Sequence, residues 1–68
     1  MNEIYAKTIY VVTKNEKTLH AFYEYEKAID YIFMICMNNR EQIKKNISIY
    51  NEHFSDYGIF KIERIFID

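Results

Sequence analysis

His20, Cys36 and His53 carry the side chains most able to do chemistry in this chain. Imidazole and thiolate groups bind zinc, or act together as a base and a nucleophile. A zinc site needs several such ligands at short spacings, and none of these residues is paired in that way. Cys36 also lies on an apolar helical stripe, where a thiol is usually inert. The sequence therefore predicts no metal site, and only the pairing of Cys36 with His53 stays open as a catalytic alternative.

Glu24, Glu26 and Asp30 form a small acidic cluster at a predicted helix start. Two carboxylates can act as a general acid and base, but carboxylates at a helix start also interact favourably with the helix dipole while remaining solvated. The chain has one glycine, so it lacks a glycine-rich phosphate-binding loop. We predict a non-enzymatic protein with no catalytic residue, no cofactor and no metal.

Composition indicates one small folded domain spanning residues 1–68. Hydrophobic residues make up 50% of the chain and aromatic residues 18%, which argues against disorder. The net charge of −1 gives no general attraction to nucleic acid or acidic lipid. Cys36 is the only cysteine, which suits a reducing compartment, and the first residues lack the features of a signal peptide. We expect a soluble cytoplasmic protein that does not enter a membrane.

The residue pattern predicts two strands followed by a helix. Residues 4–13 and 18–25 are rich in β-branched and aromatic residues, and the polar residues 14–17 between them favour an antiparallel hairpin. From Glu26 the apolar residues follow helical spacing; they are Ile29, Ile32, Phe33, Cys36 and Met37. The apolar run at 31–37 is far shorter than the ~20 residues of a membrane span, so it is predicted to form the buried part of this helix.

Two interpretations remain for the following segment. Asn39 can cap a second helix over residues 40–54, with Gln42 completing a capping box. That helix presents one apolar stripe, formed by Ile43, Ile47, Tyr50 and Phe54. Alternatively, one long helix continues through a heptad pattern interrupted only at Arg40. A single helix of about 40 Å would overhang strands of about 33 Å, so the pattern favours two helices.

Residues 55–58 are predicted to form a turn containing Gly58, and residues 59–67 the last strand. The fold class is therefore α+β. We predict a three-stranded antiparallel sheet in the order β-β-α-(α)-β, with the first strand in the centre and one or two helices on one face.

Both faces of the predicted sheet are apolar, although one helical layer covers only one of them. One face of the first strand carries Tyr5, Ile9 and Val11, and the other carries Ala6, Tyr10 and Val12. Such an uncovered face usually marks an interaction surface, unless the second helix folds around the sheet edge. We predict that it binds a protein, either a host protein or a second copy in a homodimer. The candidate contact residues are Tyr5, Ile9, Val11, Phe60 and Phe66.

Single-stranded nucleic acid is the alternative partner, because aromatic residues on a sheet can stack on bases. The residues that suit this role are Tyr5, Tyr10, Tyr23 and Tyr25. Nine basic residues are offset by ten acidic ones, however, which disfavours binding to a phosphate backbone.

Residues 9–32, IYVVTKNEKTLHAFYEYEKAIDYI, resemble a pattern in very small, mostly uncharacterised proteins of bacteria and their phages. A strand reading YVVT, a short turn, a strand ending in an aromatic residue and a helix opening with EKA carry the resemblance. It departs at Tyr25, where a Ser or Asp cap is expected, and in the long helical insertion. The resemblance implies a host-takeover or anti-defence factor, of which anti-CRISPR proteins are one kind, that occupies the surface of a host protein.

Overall fold

The structure, a computed structural model, describes residues 7–37 and 39–67. In this part of the chain it has four strands and two helices. In chain order these are β1 (Lys7–Lys14), β2 (Lys17–Phe22), α1 (Tyr25–Cys36), α2 (Arg40–Tyr50), β3 (His53–Ser55) and β4 (Gly58–Ile67). The α+β class is confirmed, and so is the order of the two strands, the helical segment and the long last strand.

The four strands form one antiparallel sheet in the order β2-β1-β4-β3. The first strand is internal, as predicted, and pairs with β4 along its whole length, from Lys7 opposite Ile67 to Lys14 opposite Phe60. The predicted hairpin of β1 and β2 is also present. Its two loop residues, Asn15 and Glu16, both have positive φ, at 51° and 69°, as in the primed turns whose twist suits such hairpins.

The prediction of three strands is wrong, because residues 53–55 form β3 and do not continue the second helix. The helix ends at Tyr50, where Asn51 takes a left-handed conformation (φ 65°) and its N–H donates to the carbonyl of Ile47 at 3.0 Å. The chain then pairs with β4, with His53 opposite Phe60. The predicted turn therefore joins two strands, and Ser55 Oγ stabilises it by donating to the Gly58 carbonyl at 3.0 Å.

The two-helix interpretation is confirmed, and the cap at Asn39 is present. Its side-chain oxygen accepts hydrogen bonds from the backbone N–H of Glu41 and Gln42, at 2.9 and 3.3 Å, which satisfies donors that the helix leaves without partners. The Gln42 side chain donates to Asn46 instead of completing a capping box. The first helix ends at Cys36. The next residue, Met37, has a left-handed backbone, and its N–H donates to the Phe33 carbonyl at 2.7 Å.

Arg40 explains the interruption in the apolar pattern, because it joins the two helices through ion pairs. Its guanidinium lies 2.7 Å from Glu26 and 2.6 Å from Asp30, both on α1. Lys44 reaches the second oxygen of Glu26 at 2.8 Å. Hydrogen bonds from Lys44 and Arg40 lower the pKa of the Glu26 carboxyl below its usual value. Two members of the predicted acidic cluster, Glu26 and Asp30, therefore hold α2 against α1.

Both helices pack on one face of the sheet and enclose a single core. Its buried residues are Val12, Ala28, Ile29, Ile32, Cys36, Ile43, Ile47, Phe60 and Ile62. The run at 31–37 supplies part of this core from α1, as predicted, although Met34 and Met37 are exposed. Neither described helix is long and apolar enough to cross a membrane.

Candidate protein-binding surface

The strand register defines the two faces of the sheet. Val12 lies opposite Ile62 in the β1–β4 pair, and both side chains are buried beneath the helices. We call this side the helix-side face. Because side chains alternate along a strand, the neighbouring residues Val11, Lys61 and Glu63 belong to the opposite side. We call that side the open face, because neither α1 nor α2 lies on it.

The open face carries a nearly continuous aliphatic patch at one end. Ile9 lies opposite Ile65, and the next pair on the same face is Lys7 with Ile67. Val11 extends the patch along β1. Ile65 and Ile67 each leave 41% of their surface exposed, while Ile9 and Val11 are half-buried by their neighbours. An antiparallel sheet with one solvated face usually alternates with polar residues there, so this patch is unusual for a surface open to water.

A polar band crosses the middle of the open face and separates this patch from a second apolar pair. Thr13 lies opposite Lys61, and Glu52 approaches the Lys61 ammonium to 3.5 Å. Glu63 is the next open-face residue on β4. Beyond the band, Phe54 lies opposite Ile59, and the Phe54 side chain is 65% exposed.

The predicted contact residues divide between the two faces. Ile9 and Val11 lie together on the open face, as predicted, whereas Tyr5 lies outside the described residues. Phe60 is wrong as a surface contact, because its side chain is fully buried in the core opposite His53. Phe66 lies opposite Thr8 on the helix-side face, beyond the helices and 70% exposed, so it does not join the patch around Ile9.

The prediction did not include the apolar open-face residues of β3 and β4, which are Phe54, Ile59, Ile65 and Ile67. A signal for the β4 members was present in the sequence. Lys61 and Glu63 share their face of β4, whereas Phe60 and Ile62 occupy adjacent positions on the other. Two charges mark the face that meets water, since charged side chains are almost never fully buried without partners.

Tyr10 and Tyr25 do not lie on the open face. Tyr10 and Tyr25 meet edge to face on the helix side, with ring centroids 5.5 Å apart. The Arg64 guanidinium lies 6.0 and 5.7 Å from these two centroids, within the range of cation–π attraction. Burial raises the pKa of Tyr25, and the nearby Arg64 opposes that shift. These two tyrosines therefore lie away from the open face, which weakens the argument for stacking on bases, although Phe54 is an exposed aromatic residue on that face.

A groove with a volume of about 740 Å³ lies on the helix side, between α2 and β4. Its charged lining residues are Glu41, Lys44, Lys45, Glu63 and Arg64. Acidic and basic side chains are interleaved there, and Lys44 is already paired with Glu26. This groove consequently offers no field of one sign for a charged ligand.

His53 is buried at the start of β3, where its ring is hydrogen-bonded to the side chain of Asn46. Asn46 orients the ring, since its Nδ2 lies 3.1 Å from His53 Nδ1 and its Oδ1 accepts from Gln42. The donating amide requires an unprotonated Nδ1, which places the proton on Nε2. Among the described residues no protein group bonds to Nε2. Burial lowers the pKa of His53, so the neutral form is favoured.

We expect the free energy of unfolding to fall as the pH is lowered from about 7.5 to 5.5. The pKa of His53 lies below 6.5 in the folded chain and near 6.5 when unfolded, so the unfolded state takes up the proton first. Urea unfolding at both pH values measures the change, and His53→Gln should reduce it. His20→Gln on exposed β2 is the control. Glu26 does not contribute in this pH range, because its pKa is lowered. If the His53→Gln protein loses as much stability as the unchanged protein, His53 is not the group responsible.

The described residues bring together no group of three or more His, Cys, Asp or Glu side chains that could hold a metal ion. Cys36 and His53 are both buried, and the only hydrogen-bond partner of the His53 ring in the structure is Asn46. No protein-family model, curated protein or solved structure matches this chain. The resemblance of residues 9–32 to small phage proteins accordingly stays a prediction.

Proposed function

We propose that this chain is a non-enzymatic protein-binding module that uses the open face of its sheet to occupy part of another protein's surface. We further propose that it acts in this way as an inhibitor or regulator of a host protein in the cytoplasm of a bacterium. The observation that carries the proposal is the aliphatic patch around Ile9 and Ile65, which neither helix covers.

The patch has the physical character of a binding surface. Single exposed apolar residues are normal on proteins, but contiguous ones usually mark an interaction site. Burying the exposed part of Ile65 or Ile67 contributes roughly 1 kcal/mol each. Such gains must exceed an association cost of several kcal/mol, so the partner has to cover the patch and its polar border together. A protein surface can do both, whereas a small molecule cannot span them.

The proposed inhibitory role is supported by the resemblance of residues 9–32 to small bacterial and phage proteins. Inhibition by occupying a surface requires a stable scaffold and one adhesive face. It requires no nucleophile, metal or cofactor. The second helix offers an alternative surface, because Ile49 and Tyr50 are exposed on it.

Substitution on the open face is expected to abolish capture of a partner. The tagged chain is used to capture proteins from the lysate of a low-GC bacterium, and Ile65→Lys should remove the stoichiometric partner. The new lysine can keep its ammonium in water, because Ile65 is 41% exposed. Met34→Lys, on the exposed side of α1, is the matched control and should retain the partner. Circular dichroism checks that each variant is folded.

Two further measurements distinguish the open face from the second helix and a protein partner from nucleic acid. Loss of the partner with Ile49→Lys, but not with Ile65→Lys, would place the contact on the second helix and contradict an open-face site. Loss after nuclease treatment, together with a steep dependence on salt, would instead identify a nucleic-acid binder.

A further inference from the structure

The order of residues along the open face of β4 is complementary to itself. The residues on this face are, in order, Ile59, Lys61, Glu63 and Ile65. One isoleucine therefore lies at each end of a pair of opposite charges. Reversing the strand exchanges the two isoleucines and the two charges. A strand with this order can therefore lie antiparallel on a copy of itself, with opposite charges facing.

The simplest arrangement has a two-fold axis that crosses the strands level with Ile62. The axis brings Lys61 of one copy to Glu63 of the other, twice, and Ile59 to Ile65. The same rotation sets Val11 against Thr13 on β1. Sheets packed face to face cross at about 30°, which displaces the ends of the strands more than the centre. The two charge pairs lie next to the axis, where this displacement is smallest.

We infer that the open face pairs with a second copy of this chain, with Lys61 of each copy facing Glu63 of the other. The inference rests on the proposed function, because it names the protein that the open face binds when no other partner is present. An unrelated apolar surface would bury Lys61 and Glu63 without new partners, which is costly. The second copy satisfies both charges and places Ile65 of the patch against Ile59.

The size of the face indicates a weak dimer. Three strand spacings of about 4.8 Å and eight residues at about 3.4 Å give a face of about 14 by 27 Å. Two such faces together cover roughly 760 Å², which is below the ~1,200 Å² of standard specific interfaces and within the range of weak, transient contacts. We expect reversible association that depends on protein concentration, so that another protein can compete for the same face.

The test is sedimentation of the full chain from low micromolar to near-millimolar concentration. Glu63→Lys should weaken dimer formation about tenfold, because both charge pairs become repulsive. Lys61→Glu should do the same, although it also removes the contact with Glu52 at 3.5 Å. The double variant K61E/E63K should recover most of the affinity, since opposite charges face each other again. Lys27→Glu on exposed α1 makes the same change in net charge as Lys61→Glu and should have no effect.

A concentration-dependent dimer that E63K weakens and K61E/E63K restores supports the inference. A monomer at every concentration overturns it, and so does a dimer unaffected by E63K and by Ile65→Lys. Neither of these outcomes decides the proposed function, which stands if Ile65→Lys still abolishes capture of a different protein. If E63K and Ile65→Lys both disrupt the dimer, but Ile65→Lys does not affect capture of the other protein, the inferred dimer stands and the proposed function is overturned.

Discussion

Phe60→Ala is expected to lower the free energy of unfolding by about 3–5 kcal/mol, the usual cost of removing a buried phenylalanine ring. The Phe60 side chain is fully buried and is the largest such side chain in the core. Small domains have total stabilities of about 5–15 kcal/mol, and a chain of this length lies at the low end. The variant should therefore be largely unfolded at moderate urea concentration, as followed by circular dichroism.

Phe66→Ala is the matched control for this prediction. It removes the same ring from the same strand and the same face, but Phe66 lies beyond the helices and is 70% exposed. Its cost should stay below about 1 kcal/mol, as for most exposed positions. If Phe60→Ala fails to fold at all, Phe60→Leu provides a milder change whose cost can be measured. Equal costs for the two alanine variants would contradict the assignment of Phe60 to the core.

Local signals in the sequence were sufficient for much of the fold. The change from strand composition to helical spacing at Glu26 predicted α1, which begins one residue earlier, at Tyr25. Asn39 predicted the start of α2, because its short side chain can accept backbone N–H groups that the helix leaves without partners. The hairpin followed from a short polar link between two strands. Each of these features depends on residues that are close in the sequence.

The third strand could not be predicted from local pattern. Tyr50 and Phe54 continue the helical spacing of Ile43 and Ile47, so residues 53–55 fit a helix as well as a strand. The outcome depends on Asn51, which adopts a left-handed backbone, and on pairing with β4. Asparagine tolerates that conformation better than most residues. Strand pairing is a contact between segments, and three residues are too few to show a period of two.

The face that the helices leave open was chosen correctly on β1 but wrongly on β4. Both faces of each strand are apolar, so the composition alone does not say which one packs against the helices. Register decides this, because a shift of one residue exchanges every side chain between the faces. In β4 the pair Lys61 and Glu63 distinguishes the faces. The same two charges form the centre of the self-complementary order of residues on the open face of β4.

Gly58→Ala is expected to cost about 1–3 kcal/mol, the usual range for strained backbone positions. Gly58 has φ of 137°, a conformation that residues with a Cβ rarely adopt. A Cβ at this position would also lie 2.8 and 2.9 Å from the two terminal atoms of the Asn15 side chain. Asn15 cannot easily move away, because its Oδ1 accepts the Ile59 N–H at 2.9 Å and its own N–H donates to the Ile59 carbonyl.

A double-mutant cycle with Asn15→Gly separates these two causes. Glycine keeps the positive φ that the hairpin turn requires at position 15 while it removes the side chain that obstructs a Cβ at position 58. We expect Gly58→Ala to cost less in the Asn15→Gly background, with the remainder due to backbone strain alone. Urea unfolding of the four proteins measures the coupling. An equal cost in both backgrounds would show that contact with Asn15 has no part in the effect. No cost in either would contradict the backbone conformation assigned to Gly58.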